Sequence, residues 1–239
     1  MISILSEIKK FISIKILKNY KYNSQTYVEH LKRLGVKIGS NVFFNQLESV
    51  NIDITRPCLV EIGNNVRITK GFTLLTHDYS WFVLRNFYSD IVPSSGKVKI
   101  GNNVFIGFNA TILSNVEIGD NCIIASGCVV TKNIPKNSVV AGVPARVICS
   151  LDEFYEKRKL NSVNEAIEYA QSIRERYNRE PQLNDFTEEF GLFLDGGEIP
   201  EQLENLIQKQ LGPVAEKYHR NHKKIFSSFD EFLSVSKRI

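Results

Sequence analysis

The chain has 239 residues, 43% of them hydrophobic and 23% charged, which is enough apolar material for a packed core and argues against global disorder. Its formal charge of +4 is uneven: residues 151–239 carry 13 Lys+Arg against 17 Asp+Glu, a net of −4, so the first 150 residues carry +8. No run of 18 apolar residues, no signal-peptide pattern and no zinc-site or disulfide spacing occurs, so a location in a reducing cytoplasm is expected.

The N-terminal segment, residues 1–35, is expected to be helical. In residues 1–22, Ile4, Leu5, Ile8, Phe11, Ile12 and Leu17 give a helix-compatible apolar pattern among five lysines. Such a helix could make peripheral contact with an anionic membrane surface, or pack on the protein itself or on a neighbouring subunit. A second short helix is expected over about Gln25–Leu34, starting in the Ser24 cap region and stopping at Gly35.

From Val36 the pattern changes to blocks of six. The blocks are disturbed between Gln46 and Leu59, where Thr55–Cys58 reads as a turn, and they resume at Ile62, Ile68 and Leu74. They stop over residues 80–97, an aromatic-rich stretch containing Trp81, Phe82, Phe87 and Tyr88. From Ile62 to Ile100 the chain advances by six sixes plus two, so this stretch is an insertion. Loops thrown out of a rigid scaffold commonly carry function, although these aromatics could also bury against a neighbouring subunit.

From Ile100 the blocks run without a slip: IGNNVF, IGFNAT, ILSNVE, IGDNCI, IASGCV, VTKNIP. Their first positions are Ile100, Ile106, Ile112, Ile118, Ile124 and Val130; their fifth are Val104, Ala110, Val116, Cys122, Cys128 and Ile134. A period of six fits neither a helix nor a simple alternating strand. Short strands joined by turns at every sixth residue do fit, each block forming one face of a coil, so a parallel β-helix is expected over residues 36–149. Cys122 and Cys128 fall on the inward fifth position, where packing is their expected role. After Ser150 the periodicity turns helical, giving a helical extension over residues 150–239.

The blocks, together with the closing AGVPARVI of Ala141–Ile148, resemble the hexapeptide-repeat acyltransferases, and most of all the acetyl-CoA-dependent O-acetyltransferases of sugars and xenobiotics. The resemblance implies a left-handed parallel β-helix, three hexapeptides per turn, and a homotrimer whose sites lie between subunits. It also implies acetyl-CoA as co-substrate, a small-molecule or oligosaccharide acceptor, no metal and no nucleic-acid partner. A mainly basic repeat region suits an anionic ligand such as a coenzyme A phosphate, and equally a solvated surface with no partner.

Four histidines occur, and only His77 lies in the repeats, directly before the insertion. A lone histidine is usually a polar surface residue; the position of His77 matches the family's catalytic histidine, which implies a general base. Asn45 resembles the acceptor-binding asparagine of the sugar O-acetyltransferases, and Asp53 is a further candidate; an ordinary turn residue is the plainer account of both. Asp78 adjoins His77 in sequence, but neighbouring strand residues point to opposite faces, so their pairing is not assured. For the cofactor, the resemblance implies Phe108, Ser126, Thr131, Lys132 and Arg146, with Lys132 and Arg146 supplying charge to phosphates. Without the resemblance, surface solvation accounts for those two cations.

Three other functions compete. A metal-dependent hydratase needs three histidine ligands, and the repeats supply only His77. A non-catalytic trimeric scaffold fits less well with the closing motif and His77. N-acetylation of a nucleotide-linked amino sugar is the nearest rival to O-acetylation, because these residues do not separate the two acceptors.

Overall fold

Most six-residue blocks contain a residue able to turn the chain sharply, and that local property generates the architecture. A computed structural model describes residues 20–195 and 200–237, with no account of the side chains of 201 and 202. The expected basic helix of residues 1–22 therefore falls almost wholly outside the described residues.

Three sheets, parallel except for the antiparallel edge strand that ends the second, hold the first unit. The first contains β1 (Lys37–Ile38), β4 (Val60–Ile62), β9 (Val98–Ile100) and β12 (Val116–Ile118). The second contains β2 (Phe43–Phe44), β5 (Val66–Ile68), β10 (Val104–Ile106) and β13 (Cys122–Ile124), extended by β15 (Ser138–Ala141) and β16 (Arg146–Ser150). The third contains β3 (Asn51–Ile52), β6 (Thr73–Leu74), β11 (Thr111–Ile112) and β14 (Val129–Val130). From β1 to β6 and from β9 to β14, strands that follow one another in sequence thus visit the three sheets in rotation, and each pairs with the equivalent strand of a neighbouring circuit.

The turns between the sheets use left-handed backbone, which asparagine and glycine tolerate and most residues do not. Asn65, Asn103 and Asn121 (φ 56°, 54° and 57°) turn the chain from the first sheet to the second. Their amides stack through the coil: Asn103 Nδ2 donates to Asn121 Oδ1 at 2.9 Å, and Asn121 Nδ2 to Asn137 Oδ1 at 2.9 Å. Gly71, Asn109 and Gly127 do the same work from the second sheet to the third, and Asn115 from the third to the first.

Of the twelve inward positions in the six unbroken blocks, eleven are at most 2% exposed and Ile134 is 6% exposed, so the period of six is the core. The register explains where that period fails. Val104 pairs with Cys122, which lies three blocks of six further along the chain. Val66 pairs with Val104, which lies six blocks and two positions further along, so the surplus chain leaves the coil between those circuits. In the first circuit Lys37 pairs with Glu61 and Asn51 with Thr73, again further apart than three blocks. That surplus goes into two short 3₁₀ turns, Leu47–Ser49 and Pro57–Leu59.

The departing segment is more ordered than a plain loop. It holds helix α2 (Trp81–Tyr88), which buries none of its residues, and β8 (Ser94–Ser95). β8 pairs antiparallel with β7 (His77–Asp78), the last strand before the excursion. Its phase break is legible in the sequence; its helix follows no amphipathic stripe facing this chain.

Helix α1 (Ser24–Leu34) covers the start of the coil. Its N-cap is Asn23, whose side chain accepts from Thr26 N, and Gly35 at φ 107° ends it. Tyr27 and Leu31 join the coil's apolar core, with Tyr27 edge-on to Phe44 at 5.1 Å.

The chain divides into two compact units, Met1–Phe154 and Tyr155–Ile239. Helix α3 (Leu151–Tyr177) crosses that division; α4 (Glu201–Leu211), α5 (Ala215–Asn221) and α6 (Phe229–Ser236) follow. The second unit has its own core, in which Ala166, Ile167, Ala170 and Ile173 line one face of α3 and pack with phenylalanines. Phe186, fully buried, meets Phe193, Phe229 and Phe232 at 5.1–6.0 Å between ring centroids.

Gly101 tests the close stacking of coils. A Cβ there would lie 2.8 Å from the Gly119 carbonyl carbon and 2.9 Å from Asp120 N, both backbone atoms. Gly101→Ala is therefore expected to destabilise the protein by about 1–3 kcal/mol, read as a lower urea midpoint. An unchanged midpoint would mean that adjacent coils can separate freely at that corner.

Candidate active site

The register of the third sheet brings two distant segments to one corner. β3 and β6 pair as Asn51↔Thr73 and Ile52↔Leu74, and Asp53 N continues the pairing by donating to Leu74 O at 2.9 Å. Asp53 therefore leaves the sheet beside Thr76 and His77, although 24 residues separate it from His77.

The Asp53 carboxylate accepts five hydrogen bonds. Oδ1 takes the Thr55 amide at 3.0 Å and the Thr55 hydroxyl at 2.6 Å. Oδ2 takes the Thr76 amide at 3.1 Å, the Thr76 hydroxyl and His77 Nδ1 at 2.6 Å. Asp53 is buried and Thr76 fully so. Burial by itself would raise the Asp53 pKa, but the threonine hydroxyls and amides outweigh it and hold the carboxyl well below the usual range.

A carboxylate that is charged can only accept, so Nδ1 of His77 carries the hydrogen in that contact, and in the neutral ring this tautomer puts the lone pair on Nε2. The His77 side chain is 17% exposed, and among the described residues Nε2 makes no hydrogen bond. The arrangement is an imidazole oriented through Nδ1, with its side chain partly open to solvent. It can remove a proton from a hydroxyl or amine.

The corner is braced from the insertion side. Gly96 N donates to Thr76 O at 2.9 Å, and Arg56 Nη1 donates to Ser94 O at 3.3 Å. Asp78 turns away, its carboxylate accepting from Ser80 N at 2.9 Å.

The other residues singled out by sequence lie elsewhere on the coil. Asn45 follows β2 and donates its amide to Ile68 O at 2.8 Å; no hydrogen bond joins it to His77 among the described residues. Phe108 and Ser126 come together at the turn from the second sheet to the third, where Phe108 N donates to Ser126 Oγ at 3.2 Å. Thr131 and Lys132 follow β14, at the same kind of corner as His77. Phe108, Ser126, Thr131 and Lys132 are all exposed. Arg146 opens β16, exposed, with Nη1 donating to Ala145 O at 2.9 Å.

Thr55 and Thr76 were not singled out by sequence. The spacing of Asp53 and Thr55, an Asp bonding the residue two places on, is a turn signature that could have pointed to the first. Thr76 had no such signal, because its partner lies in another circuit. Among the described residues no group of three or more His, Cys, Asp and Glu side chains could hold a metal ion, and no helix is long and apolar enough to cross a membrane.

Residues 97–132 match the family model described as bacterial transferase hexapeptide (six repeats). Protein CapG of Staphylococcus aureus is 38% identical over 159 residues, 63% of this chain and 91% of CapG. YvoF of Bacillus subtilis (strain 168), a putative acetyltransferase by name, is 32% identical over 155 residues, 65% of this chain and 84% of YvoF. Galactoside O-acetyltransferase of Escherichia coli (strain K12) is 38% identical over 118 residues, 49% of this chain and 55% of that enzyme.

Proposed function

This chain belongs to the hexapeptide-repeat transferases and is an acyltransferase; within that family we propose that it moves acetyl from acetyl-CoA directly to a hydroxyl of a sugar or polysaccharide. The observation that carries the reading is the 2.6 Å contact of Asp53 with His77 Nδ1, which leaves Nε2 as a base. The relative named a galactoside O-acetyltransferase supports the choice of a sugar hydroxyl.

In this mechanism the acceptor hydroxyl attacks the thioester carbonyl while its proton passes to His77 Nε2. The C–O bond forms, the tetrahedral intermediate collapses with loss of the C–S bond, and Nε2 returns the proton to the departing thiolate. Asp53 stays ionised throughout, holds the imidazole in one tautomer and stabilises the transient imidazolium. No covalent enzyme intermediate is needed.

Acetyl-CoA would lie along Phe108, Ser126, Thr131 and Lys132, with Lys132 and Arg146 facing its phosphates. Asn45, Phe108 and Ser126 follow strands of the second sheet, whereas His77 and Asp53 follow strands of the third. As the resemblance to the family implies, we read the working enzyme as a left-handed coil assembled as a trimer with its sites between subunits. Asn45 would orient the acceptor there, and residues 36–149 would form the catalytic domain.

A thiol-release assay with acetyl-CoA against a panel of pyranosides, oligosaccharides and nucleotide-linked amino sugars tests this. Labelled acetyl is expected as ester on a sugar. Amide product would mean N-transfer, and no release with any acceptor would favour a scaffold. Light scattering is expected to give a trimer, and a monomer would remove the shared site.

A further inference from the structure

The insertion carries a row of aromatic rings that begins at His77. Tyr79 stands edge-on to the His77 ring at 5.5 Å, and Trp81 lies 6.0 Å beyond Tyr79. Arg85 reaches back over Trp81 and Phe82, with its guanidinium 5.5 and 4.8 Å from their centroids, and fixes the far end of the row. At the near end, the β7–β8 pairing and the Gly96–Thr76 hydrogen bond tie the segment to the coil.

Tyr79 is nevertheless 69% exposed. A large ring is thus held in place beside the base without being used to bury apolar surface. A pyranose has flat patches of C–H bonds, and these pack on aromatic faces, whose negative quadrupole attracts them. Small open-chain acceptors have no such face to offer. Trp81 is half-buried, with the Arg85 guanidinium over its ring, and its plane is inclined by 51° to that of Tyr79.

We infer that Tyr79 and Trp81 form the acceptor platform, Tyr79 stacking the sugar whose hydroxyl faces His77 Nε2 and Trp81 the adjoining sugar of an oligosaccharide. The inference rests on the acetyl-transfer reading and narrows its acceptor to a cyclic sugar of at least two units. Its energy is ground-state and transition-state binding alike, so its loss appears in KM and not in kcat.

The test uses the full-length protein with the best acceptor of the pyranoside panel and its disaccharide. Tyr79→Ala is expected to raise acceptor KM about tenfold with kcat within about twofold, and Tyr79→Phe to restore it, since the ring remains. Trp81 is the chain's one tryptophan, so its emission should shift saturably as the disaccharide is added, and less with the monosaccharide. Unchanged acceptor KM in Tyr79→Ala overturns the platform while leaving the transfer reading intact. Dissociation of the assembly in Tyr79→Ala also overturns it, because the row would then be covered by a second copy of the chain. If the unaltered protein acetylates no pyranoside, the transfer reading fails and the platform fails with it.

Discussion

Replacing His77 by alanine is expected to lower acetyl transfer at least about 10²-fold, since a positioned general base contributes about 10²- to 10⁴-fold. The fold should survive the change. His77 lies at the edge of the coil, and Asp53 keeps its four hydrogen bonds from Thr55 and Thr76 when the imidazole is gone. Acetyl-CoA affinity by calorimetry and the oligomeric state by light scattering should match those of the unaltered protein. Near-normal turnover would dismiss His77 as the base.

Asp53→Asn should produce a loss of similar size, about 10²-fold or more, with His77 untouched. The amide is neutral, and it can present its NH₂ group to Nδ1, which places the ring hydrogen on Nε2 and removes the base. It also has one oxygen where the carboxylate has two, so either the Thr55 pair or the Thr76 and His77 set loses its acceptor. Because both changes disable one unit, the double variant should be no worse than His77→Ala alone. A multiplicative loss would show that Asp53 acts by some other route.

The same substitution has a pH signature. The Asp53 pKa is depressed in the folded state, so its ionised form stabilises the fold fully above the unfolded carboxyl value of about 3.9, and that contribution is lost as pH falls toward the folded value. The stability gap between the unaltered protein and Asp53→Asn should therefore be widest near neutrality and shrink as pH falls below about 4. Urea midpoints at pH 7 and pH 3 would check it, and a gap that widens in acid would contradict the bonding described for Asp53.

Much of the coil was legible because its causes are local. A block such as IGNNVF contains its own left-handed asparagine, its own glycine where coils touch and its own two inward apolar positions. The insertion was legible as a break in phase, and α1 from Gly35. The site was legible only in part. His77 could be named from its position at the break, with the family's motif beside it. Asp53 stood among several candidates, and sequence adjacency offered Asp78 instead, which faces Ser80.

The sequence by itself determined the period, the inward residues and the corners, since each of these depends on residues within about one block of one another, and it offered one histidine within the repeats. The tertiary structure alone decided which carboxylate orients that histidine and which aromatic rings stand beside it. The physical reason is register. The first circuit is lengthened by two 3₁₀ turns that follow no period of six, and the pairing of β3 with β6 across it places Asp53 next to His77. A hydrogen bond between neighbouring coils depends on how many residues each circuit holds, and only the folded chain fixes that number where the repeat is broken.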